Sequence, residues 1–217
     1  NELDALDLRF RLRPPIARTD KVVIIEIDND TIRKIGQFPF HRGYHAKLID
    51  ALAGADAKAV VFDIFFSEPQ KGDKDLLESM RAAGNVYLPY VFELDCQKGL
   101  KTARAVKYSA ENLPELADAA KGTGYINVIP DPDGKFRRVP PYIQYQGKDY
   151  PSLSFLVSGD YLGVDLRSRK IPLDENSNLI VNFAGKWTDS YQHYSFGDVL
   201  QSYAARAAGQ KPVLDLN

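Results

Sequence analysis

The sequence predicts an α/β fold: a mixed, mostly parallel central sheet flanked by helices, with β-hairpins added in the C-terminal half. In the first half, continuous β-branched runs alternate with segments whose apolar residues recur at helical spacing, which is typical of parallel strands joined by crossover helices. In the second half, short alternating runs are separated by turn residues, which indicates hairpins. Because no repeat, low-complexity tract or linker interrupts the 217 residues, we expect a single domain spanning residues 1–217.

Composition excludes several classes of partner. Lys and Arg total 28 and Asp and Glu total 29, so the net charge is close to zero. Such a chain has no electrostatic footprint for nucleic acid or for an anionic membrane surface. The single cysteine, Cys96, excludes an intrachain disulfide and a cysteine metal cluster. No run approaches the roughly 18 apolar residues of a membrane helix, and the opening without a Met suggests a fragment of a longer protein.

The first elements follow from hydrophobic periodicity and punctuation. Residues 2–13 predict a short amphipathic helix, which a proline pair ends. Residues 21–28, KVVIIEID, form a β-branched run that is typical of a buried, central strand. A short helix over 31–35 follows, with Asp30 and Thr31 as capping residues.

A strand-helix-strand pattern continues along the chain. Apolar positions predict a helix over 43–54, and residues 57–66, AKAVVFDIFF, predict a second buried strand. This unit favours a parallel pairing of the first two strands. A helix over 73–83 and a strand over 85–92 come next, and Pro89 is expected to push the end of that strand towards the sheet edge.

The rest of the chain is richer in turns than the first half. It predicts, in order, a charged loop over 93–112 with one strand at 105–108, a short helix over 113–120, a strand between Gly122 and Pro130, a hairpin with turns at 131–134 and 146–148, a helix over 152–162, a second hairpin pairing 171–173 with 179–183, and a final helix from Ser195.

The order of sequence blocks resembles the CHASE domain of the second class, an extracellular sensory domain of bacterial receptors. The resemblance covers nearly the whole chain, and the order and spacing of the blocks are more specific than any one block. The blocks are DLRFRLRPP at 7–15, VVIIEIDNDTIRKIGQFPFHRGYHAKLIDAL at 22–52, AKAVVFDIFFSEP at 57–69, GYINVIPDPDGKFRRVP at 124–140, YPSLSF at 150–155 and VNFAG at 181–185.

The resemblance implies a location, a partner and an output. It implies an extracytoplasmic domain, on the periplasmic or extracellular side of the membrane, that is held between transmembrane helices of a longer protein. The helix over 2–13 would continue from the first of these membrane helices. The family carries cytoplasmic nucleotide cyclases, histidine kinases, diguanylate cyclases or Ser/Thr kinases, and we expect a cyclase, with a kinase as the alternative. We also expect a homodimer, because such outputs act as pairs.

Candidate ligand-binding residues follow the first two predicted strands. Asp28 and Asp30 come just after the first strand, and Asp63 lies near the end of the second. Ligands of open α/β sheets bind outside the carboxyl ends of strands, so these carboxylates could bind a cation or an amine. The alternative is that they cap turns. Arg42 precedes a helix and could hold an anion together with the helix amides, or pair with Asp28 or Asp63.

A second group of candidates lies in the block after residue 122. Asn127 precedes the sequence Asp-Pro-Asp-Gly at 131–134, and Arg137 follows that sequence. The sequence resembles the start of a calcium loop, but the remaining oxygen ligands are missing, so a plain turn is favoured. We therefore treat Asn127 and Arg137 as ligand-binding candidates and expect no metal and no cofactor.

Two other functional interpretations remain open. The first is a metal-dependent hydrolase that uses Asp28 and Asp63. The chain has no GxxxxGK[ST] loop, no HExxH and no GxSxG elbow, so we expect no catalytic residue and favour an unknown small-molecule ligand. The second is a structural spacer that sets dimer geometry without a ligand.

Overall fold

A computed structural model describes residues 2–14, 16–17, 19–95 and 103–214. The chain divides into two compact units. Unit 1 contains the outer segments Asn1–Phe38 and Asn182–Asp215, and unit 2 contains the intervening segment Pro39–Val181. The lone Cys96 lies outside the described residues.

The described residues form an alternation of helices and strands. In chain order these are α1 Glu2–Leu12, β1 Val23–Glu26, α2 Asn29–Ile35, α3 Arg42–Gly54, β2 Val60–Val61, α4 Asp73–Ala83, β3 Val86–Leu94, β4 Ala105–Ala110, α5 Pro114–Ala119, β5 Gly122–Tyr125, β6 Arg138–Val139, β7 Tyr142–Tyr145, β8 Lys148–Pro151, α6 Leu153–Leu162, a 3-10 turn Leu166–Ser168, β9 Leu179–Ile180, α7 Trp187–Ser190, β10 Gln192–Ser195 and α8 Phe196–Ala207.

Unit 1 joins the two outer segments of the chain through a short parallel ladder. β1 runs beside β10, with Val23 opposite Gln192. Next to this ladder, α2 packs against α8. A Cβ at Gly197 would lie 3.3 Å from the Cα of Thr31, so glycine at this position lets α8 approach α2 closely.

The main sheet of unit 2 is organised around β3. β2 and β5 run parallel to the first half of β3, and β4 runs antiparallel to its second half. β2 bonds to the carbonyls of Asn85 and Tyr87, whereas β5 and its flanks bond to those of Val86 and Tyr90, so the two strands lie on opposite edges of β3. The predicted mixed, mostly parallel sheet with helices and hairpins is confirmed.

Pro89 lies in the middle of β3 and is buried, although its sequence suggested a position near the sheet edge. The carbonyl of Pro89 accepts a hydrogen bond from the side chain of Asn112, 2.6 Å away. In a strand, the N–H and C=O of one residue point to the same edge. The missing N–H of Pro89 therefore faces the edge where β2 has already ended, and no ladder bond is lost there.

The first two predicted strands do not form the expected parallel pair. β1 pairs with β10 and β2 pairs with β3, in separate sheets. The predicted strand over 57–66 is reduced to Val60–Val61. β1 is not central either, because Val23 is 44% exposed. The run of β-branched residues indicated a strand correctly, but it held no information about a partner located near the other end of the chain.

The hairpins of unit 2 match their turn signals in part. β7 and β8 pair with Tyr145 opposite Lys148, so the turn predicted at 146–148 is confirmed. The second predicted hairpin is reduced to one bridge between Leu173 and Leu179, and β9 pairs with β6 instead. β7 and β8 bring Tyr145 and Tyr150 to an aromatic core.

Close approach of α6 to β5 gives a test of the packing in unit 2. A Cβ at Gly124 would lie 2.5 Å from the Cα of Leu153 and 2.6 Å from its backbone nitrogen. We expect Gly124→Ala to lower the free energy of unfolding by about 3 kcal/mol, because the clash is with backbone that cannot move aside. Gly54→Ala is the control, since no atom lies within 4 Å of that Cβ. Urea unfolding of both variants measures the difference, and equal stability would contradict the observed packing.

Candidate functional site

Asp28 caps α2 and bonds to the last residue of β10. Its Oδ1 accepts hydrogen bonds from the backbone N–H of Thr31 at 2.7 Å and from the hydroxyl of Ser195 at 3.1 Å. The bond from the Thr31 N–H is the main cause of the lowered pKa of Asp28. Thr31 itself is buried, and its Oγ1 accepts from the N–H of Gly197 at 3.0 Å. These four residues, Asp28, Thr31, Ser195 and Gly197, form what we call the capping network.

Asp30 lies on the exposed side of α2. Its carboxylate pairs with Arg33 at 3.1 Å and with Lys34 at 2.6 Å. These ion pairs are the leading cause of its lowered pKa, with Lys34 contributing most. Lys34 also reaches Asp198 on α8 at 2.6 Å. Exposed pairs of this kind contribute little to stability, and the Asp30 side chain is engaged along its own helix.

Arg42 is buried at the start of α3, and its partner is an acid that the sequence had not indicated. Its Nε lies 3.1 Å from Oδ1 of Asp73, and its guanidinium donates to the carbonyl of Glu68 at 3.0 Å. The guanidinium also lies over the ring of Phe66, 4.6 Å from the centroid. Asp73 is the first residue of α4, so Arg42 ties the loop before α4 to the start of α3.

His45 lies one turn further along α3, within an aromatic environment. It is 1% exposed and packs against the rings of Phe40, Phe62 and Phe66. Burial, together with the nearby charge of Arg42, lowers the pKa of His45 to about 4. The imidazole is therefore neutral at physiological pH.

Asn127 extends the sheet with its side chain. Its Oδ1 accepts from the N–H of Phe92 at 2.9 Å, and its Nδ2 donates to the carbonyl of Phe92 at 2.8 Å. The side-chain amide thus makes the two hydrogen bonds to β3 that one further residue of β5 would make. On the other edge of β3, the side-chain amide of Asn112 accepts a hydrogen bond from the N–H of Phe66 and donates one to the carbonyl of Pro89.

Arg137 is buried between two aspartates of the turn that precedes it. Its guanidinium donates to Asp131 at 2.9 Å and forms two hydrogen bonds with Asp133, at 2.9 and 2.7 Å. The bonds from Arg137 lower the pKa of Asp133 to about 2. Arg138 adds a contact of 2.5 Å to Asp131. Asp131 and Asp133 thus serve as the counter-ions of arginine, and the turn is closed by a bond from the Gly134 N–H to the Asp131 carbonyl.

Asp63 follows β2 and is exposed. Within the described residues its side chain forms no hydrogen bond and no ion pair. The structure thus places Asp28 and Asp30 in unit 1, and Arg42, Asp63, Asn127 and Arg137 in unit 2. Ligand contact by these six residues stays a prediction.

A pocket of about 150 Å³ opens in unit 2 beside the middle of β3. Strands β3, β4 and β5 of the main sheet, strand β8 of the β7–β8 hairpin, the segment before α5 and α5 itself contribute to it. The lining residues are Pro89, Tyr90, Tyr108, Glu111, Asn112, Ala117, Thr123, Tyr150 and Pro151. The wall is thus mainly aromatic and apolar, with a few oxygen atoms.

The three tyrosines of the pocket lie close together. The ring centroids of Tyr90 and Tyr108 are 5.4 Å apart, and the centroid of Tyr150 lies 6.4 Å from the first and 6.5 Å from the second. Burial, followed by the neighbouring Tyr150, raises the pKa of Tyr108 to about 12, and Glu111 adds to this. Burial also raises the pKa of Tyr90. The phenols of Tyr90 and Tyr108 therefore stay neutral at physiological pH.

The hydroxyl of Tyr90 is buried and has no hydrogen-bond partner among the described residues. Tyr90 is 6% exposed, and its phenol lies near those of Tyr108 and Tyr150. A buried hydroxyl without a partner costs about 1–3 kcal/mol. Such a group inside a pocket wall is a binding element that a ligand can satisfy.

This pocket was not predicted from the sequence, because the candidate residues were charged and amide side chains, and no tyrosine was among them. Tyr108 lies in β4, so the strand predicted at 105–108 within the charged segment is confirmed. The sequence signal that could have indicated the pocket was the hydroxyl group of each tyrosine side chain. A buried tyrosine hydroxyl needs a partner, and a cluster of tyrosines indicates either a hydrogen-bond network or a binding site.

Fold and pocket together define an α/β domain with a small, mainly aromatic pocket. The family model of the CHASE2 domain matches residues 1–214, essentially the whole chain, and the chain belongs to this family. CHASE2 domains are extracellular sensory domains. No curated protein and no solved structure matches the chain.

Two searches of the described residues complete the picture of the site. No group of three or more His, Cys, Asp or Glu side chains that could hold a metal ion occurs in 2–14, 16–17, 19–95 or 103–214. In the same ranges, no helix combines the length and the apolar character that crossing a bilayer requires.

The buried His45 makes stability dependent on pH. Its pKa is about 4 in the folded chain and about 6.5 in an unfolded chain. The unfolded state therefore binds the proton first, and stability is lost as the pH falls from 6.5 to about 4. We expect a loss of about 3 kcal/mol from this group over that range, measured by urea unfolding at several pH values.

His45→Leu should remove this part of the pH dependence, because leucine has no proton to bind. His41→Gln, which leaves the buried imidazole in place, should retain it. Identical pH profiles for His45→Leu and the parent chain would show that His45 does not cause the loss.

The unpartnered hydroxyl of Tyr90 predicts an unusual gain in stability. We expect Tyr90→Phe to raise the free energy of unfolding of the ligand-free chain by about 1 kcal/mol, because it removes a buried group that has no partner. Tyr87→Phe is the matched control. The Tyr87 hydroxyl donates to Asp160 at 2.8 Å, so its loss should cost about 1 kcal/mol. If both substitutions change the free energy of unfolding in the same direction, the proposed difference between a partnered and an unpartnered hydroxyl is wrong.

Proposed function

We propose that the chain is the extracytoplasmic ligand-sensing domain of a bacterial transmembrane receptor and that it regulates a cytoplasmic adenylate or guanylate cyclase. The sensory role is that of the CHASE2 family. The periplasmic location, the flanking membrane helices, the homodimer and the cyclase output belong to the proposal. A histidine kinase or another kinase is the alternative output. An assay of the full-length receptor that measures both cyclic-nucleotide formation and phosphotransfer distinguishes the two outputs.

The observation that carries the proposal is the way the chain divides between its two units. Unit 2 is inserted between the two halves of unit 1, so the chain passes from unit 1 to unit 2 at residues 38–39 and returns at 181–182. A change of state in unit 2 reaches the rest of a receptor through these two crossings. The first crossing connects to the segment that ends at Phe38, and the second connects to the segment that begins at Asn182. These are the two segments that unit 1 joins.

Unit 1 is suited to respond to such a change because its two segments are joined by a set of separate noncovalent links. The described links include the β1–β10 ladder, the capping network, the Lys34–Asp198 ion pair and the bonds of Trp187 and His193 to Glu26. Two alternative arrangements of these segments would exchange part of this set of bonds. A ligand that binds unit 2 more tightly in one arrangement shifts the balance by its difference in affinity.

In this proposal, α1 continues from a membrane helix and α8 precedes the return to the membrane. The position of α1 relative to the second segment is set by contacts near residue 183. Phe10 and Phe183 pack edge to face with centroids 6.3 Å apart, and Arg13 hydrogen-bonds to Asn182. A shift between the two segments therefore moves α1, which makes this helix the mechanical link of the receptor.

Thr31→Val in the full-length receptor tests this coupling. The valine keeps the shape but removes the acceptor of the Gly197 N–H, so the two segments lose a bond that fixes their register. We expect basal cyclic-nucleotide formation in membranes to change at least threefold. A bond of about 1 kcal/mol alters a two-state balance by about fivefold.

Two controls separate coupling from simple loss of stability. Tyr87→Phe loses a comparable hydrogen bond within unit 2, and Asp30→Asn removes an exposed ion pair of α2. Both should leave basal output unchanged. If Thr31→Val and Tyr87→Phe give the same output, unit 1 is not the coupling element. Phosphotransfer without any cyclic-nucleotide product would show a kinase in place of the proposed cyclase.

A further inference from the structure

We propose that the pocket of unit 2 binds a small organic ammonium ion, which is held by the rings of Tyr90, Tyr108 and Tyr150 and by the carboxylate of Glu111. The inference rests on the proposed function only in naming the ligand class that the sensor would detect. Binding itself can be tested on the 217-residue chain without any receptor output.

The arrangement of the rings is the first reason. The planes of Tyr90 and Tyr108 meet at 73°, and the plane of Tyr150 is at 90° and 89° to these two. The three rings also pack against Phe92, whose centroid lies 5.2, 4.7 and 5.5 Å from those of Tyr90, Tyr108 and Tyr150, and they contribute to the pocket wall from this aromatic core. A cation beside the uncovered ring surface is attracted, because the π face carries partial negative charge.

The charge of the lining is the second reason. Among the described lining residues, Glu111 is the one ionised side chain, and no Lys, Arg or His contributes to the wall. Glu111 is exposed, so its carboxylate can attract a cation from solvent. An anionic ligand would meet a carboxylate and the negative faces of three rings, with no cation to offset them.

The position of Glu111 is fixed by its neighbours. Asn112 binds the N–H of Phe66 at 2.8 Å and the carbonyl of Pro89 at 2.6 Å through its side-chain amide. The backbone N–H of Leu113 donates to the carbonyl of Phe66 at 2.8 Å. The backbone that carries Glu111 is therefore held against β3 in the absence of a ligand, and little order has to be gained on binding.

The Tyr90 hydroxyl is the third and independent reason. It is buried, lacks a partner and belongs to a residue of the pocket wall. Its oxygen can accept a hydrogen bond from an N–H of a primary ammonium ion, or its proton can be donated to a hydroxyl of the ligand. Such a ligand would remove the cost of an unsatisfied buried group, which gives affinity and selectivity for a guest with both a charge and a polar group.

The volume limits the size of the guest. The pocket holds about 150 Å³, and a water molecule occupies about 30 Å³ in the liquid. A guest of roughly five to eight non-hydrogen atoms therefore fits, whereas typical drug-sized ligands need cavities of about 300 Å³ or more. Choline has the charge, the hydroxyl and the size required, and it serves as the probe.

The binding experiment compares choline with 3,3-dimethyl-1-butanol, its neutral isostere, by titration calorimetry on the 217-residue chain at low salt. We expect saturable binding of choline and at least tenfold weaker binding of the isostere, because the two differ only in charge. Tetramethylammonium should bind between the two, since it keeps the charge and lacks the hydroxyl. Phosphate should not bind in the pocket.

Three variants locate the site. Glu111→Gln should weaken choline binding about tenfold, and Tyr90→Phe should weaken choline binding more than tetramethylammonium binding, because only choline carries a hydroxyl partner. Glu115→Gln is the matched control, since this acid lies on α5 outside the pocket wall. It should leave binding unchanged. Circular dichroism verifies that each variant is folded.

Equal affinity for choline and its neutral isostere would overturn the proposal, as would unchanged choline binding in Glu111→Gln. Absence of binding by choline, tetramethylammonium and ethylammonium at tens of millimolar would do so as well. These results are independent of the receptor assay. A chain that binds no ammonium ion can still couple through the capping network, and a chain that binds choline can fail to change output.

Discussion

The backbone of β3 has to be hydrogen-bonded on both edges along nine residues, and this requirement organises unit 2. No neighbouring strand runs the full length of β3. On one edge β2 is followed by the side chain of Asn112 and then by antiparallel β4. On the other edge β5 is followed by the side chain of Asn127. Two asparagine amides thus supply the bonds where strand partners change, so that a buried strand keeps no unpaired backbone polar group at these positions.

The pocket lies at the place where the partners of β3 change. Pro89 and Tyr90 lie at the middle of the strand, Asn112 fills the gap after β2, and Thr123 and Tyr108 come from the two flanking strands. Side chains from a continuous sheet would pack without a gap, whereas a change of partner leaves space between the end of one strand and the beginning of the next. The amide of Asn112, which supplies backbone bonds on this edge, is therefore also part of the pocket wall, and a polar site forms without breaking the ladder.

Local signals predicted most helices of this fold, but α7 and the long-range pairings escaped them. The helix over 73–83 was read with its observed bounds, because its caps and its apolar stripe lie within a few residues of each other. The partner of β1 is β10, near the other end of the chain. Neither segment contains a sequence pattern that indicates which strand it pairs with. The counter-ion of Arg42 was missed for the same reason: Asp73 is a good helix-start residue by itself, and its pairing depends on how α3 and α4 pack.

The candidate residues show why charge alone is a weak guide to a binding site. Asp28, Arg42, Asn127 and Arg137 each satisfy a backbone group or an opposite charge within the described structure. Turn capping and ion pairing need acids, amides and arginines at the same strand ends where ligands often bind. Among the described residues of the pocket wall, the buried side-chain group without a hydrogen-bond partner is instead the hydroxyl of Tyr90. Folding penalises such a group, and its position in a pocket wall is the observation on which the proposed recognition of a small ammonium ion depends.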